Sequence, residues 1–316
     1  MKIGMFIHWP LGSLRAPRGN VLGDELYATS LARALRATGA EADVYGPNKI
    51  PEAQLDWLIH FNESRPVRTM ARRHLLYLQN AYGEGADKKL RQLRTFRFDG
   101  YAFISRKLLD LHREDGFEGL FLPFGVDTSE FHPKPLDPRF EVEVAYVGND
   151  IKGRSRTEAY LLPAADFDFA LYGNWNAKLG LRFWRRRKLE YQKIFAKISR
   201  GKIAQEDVPA LYSSAKINLN CTAQDCVDWD VITLRTLEVL ACKGFLISDR
   251  VPSAETLLGG GIVFTSGRDD LQDKIAYYLS NEVERRAIAK TGYNYVVTNA
   301  SISVTANKLL GYLESL

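Results

Sequence analysis

The chain has 316 residues, of which 46% are hydrophobic and 26% are charged, and its formal net charge is +5. This length suggests two domains, and the composition is ordinary for a soluble globular protein. The small net charge gives no reason to expect a nucleic-acid partner.

The N-terminus, MKIGMFIHWP, has too few apolar residues for a signal peptide, and no apolar run approaches the roughly 18 residues that a membrane span requires. Cys221, Cys226 and Cys242 have neither metal-binding nor disulfide spacing, and we expect buried thiols in a reducing cytosol. The sequence therefore predicts a cytoplasmic protein.

One dense basic run bears on whether the protein stays in the cytoplasm or also contacts the membrane. A solvated helix face explains it, and so does a peripheral contact with anionic lipid at the inner membrane face or with a charged acceptor. The run consists of Arg185, Arg186, Arg187 and Lys188.

The first half of the chain alternates between predicted strands and helices. Residues 2–7 form a buried strand, residues 23–39 a helix with Asp24 as N-cap and Gly39 at its end, and residues 41–47 a strand, which together make a βαβ unit. Further strands are predicted at 55–61, 99–105 and 119–125, a helix at 106–114, and a helix-then-strand segment at 70–80.

A polar, proline-rich stretch at 132–139 indicates a domain boundary, and a second α/β series follows it. Its predicted strands are 142–148, 168–174, 216–222, 244–249 and 261–266. Its predicted helices are 155–165, 178–198, 208–215, 233–244, 253–258, 269–292 and 302–315. Two such series predict an α/β protein with two Rossmann-like domains facing across a cleft.

In doubly wound sheets, ligands bind beyond the carboxyl ends of the strands. After the strand at 142–148, Gly148 and Asn149 lead to Lys152 and Arg154, which supply charge for a phosphate before the next helix. A glycine-rich turn with surface charges is the simpler alternative.

The stretch 227–249, VDWDVITLRTLEVLACKGFLISD, carries the sharper signal. Thr233 and Leu234 open a largely apolar helix in which Arg235 and the helix amides favour an anion. Glu238 lies on the same face, and a buried carboxylate finds suitable donors in a ribose diol. An internal Arg235–Glu238 salt bridge with no ligand is the alternative.

The sequence resembles a known family at several of these places. The segment 121–133, FLPFGVDTSEFHP, resembles the linker signature of GT-B glycosyltransferases. Asp230 and Glu238 resemble the E-x7-E element of the retaining group related to glycogen synthase. EDVPALYSSAKINLN and LRTLEVLACKGFLISD are similar to the glycosyltransferase-like domain of bacterial spore-maturation and surface-glycan proteins. The resemblance covers residues 120–316 well and residues 1–118 by topology only.

The resemblance implies domains at 1–133 for the acceptor and at 134–300 for the nucleotide-sugar, and a helix at 301–316 that packs back on the first domain. It implies that Glu238 holds the ribose and that Lys152, Arg154 and Arg235 are candidates for the diphosphate. The base would lie near Tyr172, Gly173, Lys202 and Ile203. Asp230 departs from the family pattern because its arm is shorter than that of glutamate. Gln79 or Asn80 stands where the retaining families have a histidine.

Catalytic candidates in the first domain follow from their positions at strand ends. His8 and His60 each end a predicted strand, where a histidine can act as a general base for an acceptor hydroxyl. A packed structural histidine is the alternative for each. Asp24 is a third candidate, with helix capping as its alternative.

We therefore expect a glycosyltransferase that moves a sugar from a nucleoside-diphosphate donor to a saccharide or other hydroxyl acceptor, retaining, with no cofactor and no metal. The sequence "DWD" at 228–230 matches a metal motif in letters only. A non-catalytic nucleotide-sugar-binding protein of surface or spore assembly and a sugar-nucleotide epimerase are the alternatives. A dinucleotide-dependent dehydrogenase is disfavoured because no G-x-G-x-x-G follows the first strand.

Overall fold

The computed structural model describes residues 1–15, 22–61, 64–80, 83–175 and 189–316. These residues divide into two compact units. Unit 1 consists of Met1–Asp127, Asp228–Ile232 and Asn299–Leu316, and unit 2 of Thr128–Val227 and Thr233–Thr298. The basic run at 185–188 lies outside the described residues.

The described strands are β1 (Lys2–Phe6), β2 (Glu41–Tyr45), β3 (Leu55–Phe61), β4 (Ala71–Leu78), β5 (Gly100–Phe103), β6 (Leu120–Phe121), β7 (Val144–Val147), β8 (Phe169–Tyr172), β9 (Ile217–Asn220), β10 (Leu246–Asp249) and β11 (Val263–Thr265). The described helices are α1 (Gly23–Ala37), α2 (Ala86–Arg94), α3 (Arg106–Glu114), α4 (Arg154–Tyr160), α5 (Glu190–Ile198), α6 (Val208–Ser214), α7 (Gln224–Asp228), α8 (Leu234–Ala241), α9 (Pro252–Leu258), α10 (Asp269–Ser280), α11 (Glu282–Asn299) and α12 (Ile302–Ser315).

Unit 1 contains, within the described residues, a six-stranded parallel sheet in the order β2-β1-β3-β4-β5-β6. Its central strands are buried along most of their length, as expected for a parallel sheet with both faces covered. The C-terminal helix α12 packs against α1 in this unit. Gly125 permits the close approach of that helix, because a Cβ there would lie 2.3 Å from Thr305 Oγ1. Val126 then exchanges backbone hydrogen bonds with Ala300 and Ile302 at 2.9 and 2.7 Å.

Unit 2 contains, in its described part, a five-stranded parallel sheet in the order β11-β10-β9-β7-β8. The apolar cluster on one side of this sheet includes Tyr146, Leu171, Phe195 and Ile247, all at most 1% exposed. Strand β7 lies between β8 and β9, and both pairings are parallel. The loops that follow Val147, Tyr172 and Asn220 therefore leave the same edge of the sheet. The predicted α/β architecture with two doubly wound parallel sheets is confirmed.

Several predicted elements differ from the structure. Segment 70–80 contains no helix: its strand covers Ala71–Leu78, and residues 74–78 form a continuous buried run with no helical period. Helix α2 was missed, since Ala86, Leu90 and Leu93 are its only buried positions among many charges. The predicted helix at 269–292 is two helices, α10 and α11, with a break at Asn281.

The predicted N-cap of the first helix is also wrong. Helix α1 begins at Gly23, and Leu22 occupies the cap position with extended backbone and no side-chain hydrogen bond. Asp24 is the second helical residue, where its carboxylate complements the helix dipole. The helix ends as predicted, with Gly39 at φ +92°.

Candidate functional site

The loops after β7 and β8 are in close contact at two glycines, Gly148 and Gly173. A Cβ on Gly173 would lie 2.0 Å from the carbonyl oxygen of Gly148, and Gly173 adopts φ +129°. A Cβ on Gly148 would lie 2.9 Å from Arg235 Nη2. Asn149 Oδ1 accepts a hydrogen bond of 2.8 Å from the amide of Asn174, which ties the two loops together. Gly173 is required by this close backbone contact, whereas a side chain at 148 would have to displace the Tyr146 hydroxyl and the Arg235 guanidinium.

Arg235, near the start of α8, is held beneath these loops by two neighbours. Its Nη1 donates to Asn220 Oδ1 at 3.1 Å, and its guanidinium carbon lies 4.8 Å from the centre of the Tyr146 ring. The amide nitrogen of Asn220 donates to Ser248 Oγ at 3.1 Å and to Thr222 Oγ1 at 3.0 Å, so its oxygen is fixed as the acceptor for arginine. Most of the five guanidinium donors remain unused among the described residues.

Lys152 is a second cation at the same place. Its pKa is lowered by burial and by the nearby positive charge of Arg235. No ion pair neutralises either cation within the described ranges. A partly buried cation without a counter-ion is unfavourable, so a bound anion would stabilise the charge of Lys152.

Glu238 lies one turn after Arg235 on α8. Burial raises the pKa of its carboxyl to about 7, the positive charge of Arg235 opposes this, and Glu130 adds to it. In the described part of the chain the two side chains form no ion pair within 4.0 Å. The internal salt bridge that served as the alternative explanation is therefore not the observed arrangement, and the carboxylate keeps its capacity to accept hydrogen bonds.

The start of α8 offers amides as well. Thr233 occupies the N-cap position with extended backbone but makes no side-chain capping bond, and its hydroxyl lies 3.4 Å from that of Thr236. Leu234 is the first helical residue. The first amides of the helix therefore have no side-chain cap from Thr233, which suits an anion at this end.

The residues proposed for the base also lie together. The amide of Gly173 donates to the carbonyl of Gly201 at 2.8 Å, next to the exposed Lys202. Ile203 packs against the apolar cluster that contains the buried Tyr172. The strand end at 172–173 and the segment 201–203 thus share one side of unit 2.

Two other predicted residues have different surroundings. Arg154 is exposed and donates to Glu158 at 2.8 Å within α4, an ordinary surface pair. Asp230 has φ +57° and lies in the segment Asp228–Ile232, which belongs to unit 1.

Sequence reasoning missed the partners that hold the group in place, Tyr146 and Asn220. It also missed Arg156, whose guanidinium pairs with the buried carboxylate of Asp249 and donates to the carbonyl of Thr222. This network fixes the loop after β9. Two asparagines at alternate positions of an otherwise apolar strand, INLN, were the available signal for Asn220.

In unit 1, His60 does not have the environment of a general base. It is 1% exposed, its Nδ1 lies 2.6 Å from Ser64 Oγ, and its Nε2 lies 2.8 Å from His74 Nδ1. Its pKa is lowered to about 3 by burial and by the nearby charges of His74 and Arg68. Both ring nitrogens are occupied, so the arrangement supports the structural alternative and not the catalytic one.

His8 is exposed after β1, and its ring centre lies 5.5 Å from that of Trp9. Asp24 is half-buried in the first turn of α1. Its neighbour Glu25 was not identified from the sequence. The Glu25 carboxylate accepts hydrogen bonds from the amide of Gly12 and from both the amide and the hydroxyl of Ser13, in the loop after β1. Gln79 follows β4 and is buried, and its Nε2 has no hydrogen-bond partner among the described residues.

Metal and membrane features were sought in the same residues. No group of three or more His, Cys, Asp or Glu side chains within the described ranges could hold a metal ion, and the three cysteines are free and buried. None of the described helices combines the length and the apolar character that crossing a bilayer requires.

The sequence of residues 154–311 matches a family described as glycosyl transferase-like. This stretch contains Arg235, Glu238, Asn220 and the whole of α8. No curated protein sequence matches the chain.

Solved structures share the fold at low identity. Sucrose-phosphate synthase from Thermosynechococcus elongatus is similar with a TM-score of 0.69 and 14% identity, covering 99% of this chain and 98% of that one. HepE from Anabaena in complex with UDP-glucose gives a TM-score of 0.66 and 12% identity, covering 100% of both chains. The T4 phage enzyme BGT in complex with its substrate UDP-glucose gives 0.65 and 13%, also covering 100% of both.

Proposed function

The chain belongs to the glycosyl transferase-like family, and we propose that it transfers a sugar from a nucleoside-diphosphate donor to a hydroxyl acceptor. The observation that carries this proposal is the group formed by Arg235, Lys152 and Glu238. Two cations that form no ion pair among the described residues and one available carboxylate match a diphosphate and a ribose diol. UDP-glucose is our proposed first donor, because similar folds were solved with it.

The residues divide the work as follows. Arg235, Lys152 and the uncapped amides at the start of α8 stabilise the charge that develops on the diphosphate as the glycosidic bond breaks. Glu238 accepts hydrogen bonds from the ribose. The nucleotide lies against the sheet edge at Gly148 and Gly173, and the base packs beside Tyr172 and Ile203. The acceptor hydroxyl loses its proton to solvent or to His8.

We propose a retaining reaction, because Asp230 and Glu238 resemble the E-x7-E element of the retaining group. We propose that it is metal-independent, because Arg235 and Lys152 can balance the charge of the diphosphate. UDP-glucose incubated with the protein in EDTA should release UDP, and proton NMR of the early sugar product should show the anomer of the donor. Restoration of a lost activity by manganese would contradict metal independence, and the opposite anomer would contradict retention. Conversion of UDP-glucose to another nucleotide-sugar without UDP release would indicate an epimerase, and saturable binding with no product a binding protein.

The two histidines should respond differently to substitution. His60→Ala removes a packed ring and leaves His74 unpaired, so the free energy of unfolding should fall by about 2–4 kcal/mol while donor hydrolysis by the folded fraction stays close to that of the parent. His8→Ala, at an exposed site, should leave stability within about 0.5 kcal/mol and reduce transfer to an acceptor. Chemical denaturation and initial rates measure both. A normal stability for His60→Ala with abolished turnover would reverse the assignment.

A further inference from the structure

The loop after β1 presents an aromatic side chain to solvent. Trp9 is 52% exposed, whereas Trp57 and Trp175 are 3% and 4% exposed. It follows the carboxyl end of β1, the edge where ligands of doubly wound sheets bind. A single exposed apolar residue is common on protein surfaces and does not by itself indicate a binding site. The hydrogen bonds that hold the loop around Trp9 are the more informative feature.

The backbone around Trp9 is fixed from two directions. Asn48 holds Leu11 by two hydrogen bonds, accepting from its amide at 2.8 Å and donating to its carbonyl at 3.0 Å. Gly46 lies against the loop so closely that a Cβ there would be 2.8 Å from the carbonyl oxygen of Trp9.

On the other side, the buried carboxylate of Glu25 accepts from the amides of Gly12 and Ser13 at 2.8 and 2.9 Å. Ser13 Oγ in turn accepts from the amide of Leu22 at 3.0 Å. A buried acidic side chain is thus used entirely to shape this turn. The backbone next to the exposed indole is therefore hydrogen-bonded on both sides, which lowers the entropy lost when the indole binds a ligand.

A polar group stands beside the flat apolar one. The His8 ring is nearly perpendicular to the indole, at 85°, and is itself exposed. A sugar ring has an apolar C–H face that stacks on an indole and hydroxyls at its edge that bond an imidazole. We propose that Trp9 and His8 form the acceptor platform, and that the acceptor is a saccharide whose ring stacks on Trp9. This inference rests on the proposed function.

A membrane surface would be the other common use of an exposed tryptophan. Anionic lipid attracts clusters of basic residues, each contributing about 1 kcal/mol. The sequence between β1 and α1 carries two such residues, Arg15 and Arg18, fewer than the roughly four to eight of a typical lipid-binding cluster. A neutral ligand that needs both an apolar face and a hydrogen-bonding edge fits the loop better.

The first test separates acceptor binding from donor chemistry. Methyl glycosides of glucose, galactose, mannose and N-acetylglucosamine, and the corresponding disaccharides, are tested for acceleration of UDP release from UDP-glucose. For the best acceptor, Trp9→Ala should raise KM about tenfold or more, Trp9→Phe should recover part of this loss, and UDP affinity should stay unchanged. Val67→Ala, an apolar side chain 42% exposed just before β4, is the matched control and should change nothing.

The second test needs no turnover. The same saccharides should change the tryptophan fluorescence of the parent and not that of Trp9→Phe. Absence of any saccharide effect on either fluorescence or UDP release would overturn the proposal, and so would Trp9-dependent binding to anionic vesicles without a saccharide response. If the protein still hydrolysed UDP-glucose in that case, the proposed function would stand. A fluorescence response without any hydrolysis would support the saccharide platform and contradict the proposed enzymatic activity.

Discussion

Replacement of Arg235 by methionine is expected to lower kcat/KM for UDP-glucose by about a hundredfold to a thousandfold, the usual effect of removing one preorganised electrostatic donor. Methionine fills a similar space under Gly148 and keeps contact with Tyr146, but it cannot offset the charge on the leaving diphosphate. Lys152 would remain as the sole cation of the group, so residual activity is expected. Arg235→Lys should fall between parent and methionine variant, because it keeps the charge but loses the planar donors.

Binding measurements locate the effect of this substitution. UDP affinity should fall about tenfold to a hundredfold, in line with the loss of a charge-assisted hydrogen bond, whereas affinity for uridine should stay nearly constant. Arg286→Met provides the control, since Arg286 is an exposed cation of the same unit paired with Glu282 on α11. Equal losses for UDP and uridine would mean that Arg235 supports the fold of the site and does not face the diphosphate.

The α/β architecture was predictable because it depends on local signals. Apolar runs ending at glycine or proline gave the strands, and helical spacing of leucines gave α1, α3 and α12 almost to the residue. The prediction was wrong where apolar content conflicted with charge, as in α2, or where a short break separated two helices, as at Asn281.

The site was predictable in part. Arg235 and Glu238 were recognised because burying a charged side chain in an apolar helix is unfavourable unless the charge has a partner or a ligand. Their supports were not, because Asn220 comes from β9 and Tyr146 from β7, and only the sheet order places those strands side by side. His60 shows the converse limit: its position in the chain suggested catalysis, and its partner His74 on the neighbouring strand is invisible to sequence spacing.

Glu238→Gln is expected to separate stability from binding. Burial is the main reason that the pKa of Glu238 rises to about 7 in the folded protein, above the usual value of a glutamate carboxyl. A raised carboxyl pKa means that the folded protein binds a proton that the unfolded chain has released, so stability falls as pH rises from about 5 towards 8. Glutamine cannot ionise, so the variant should lack this fall and melt at a higher temperature than the parent at pH 8, a gain of about 2 kcal/mol after allowing for solvent screening.

Nucleotide binding should change in the opposite direction. The ribose hydroxyls donate to the ionised carboxylate, so UDP affinity of the parent, compared at each pH with that of the variant, should rise through pH 7. At pH 8 the variant should bind UDP about tenfold to a hundredfold more weakly, because a hydrogen bond to a charged group contributes roughly 1.5–3 kcal/mol. Melting curves and calorimetric titrations from pH 5.5 to 8.5 measure both effects, with Glu282→Gln on α11 as an exposed control. A variant that melts higher at pH 8 yet binds UDP as the parent does would show that Glu238 is a buried acid without a ligand, and the ribose assignment would be wrong.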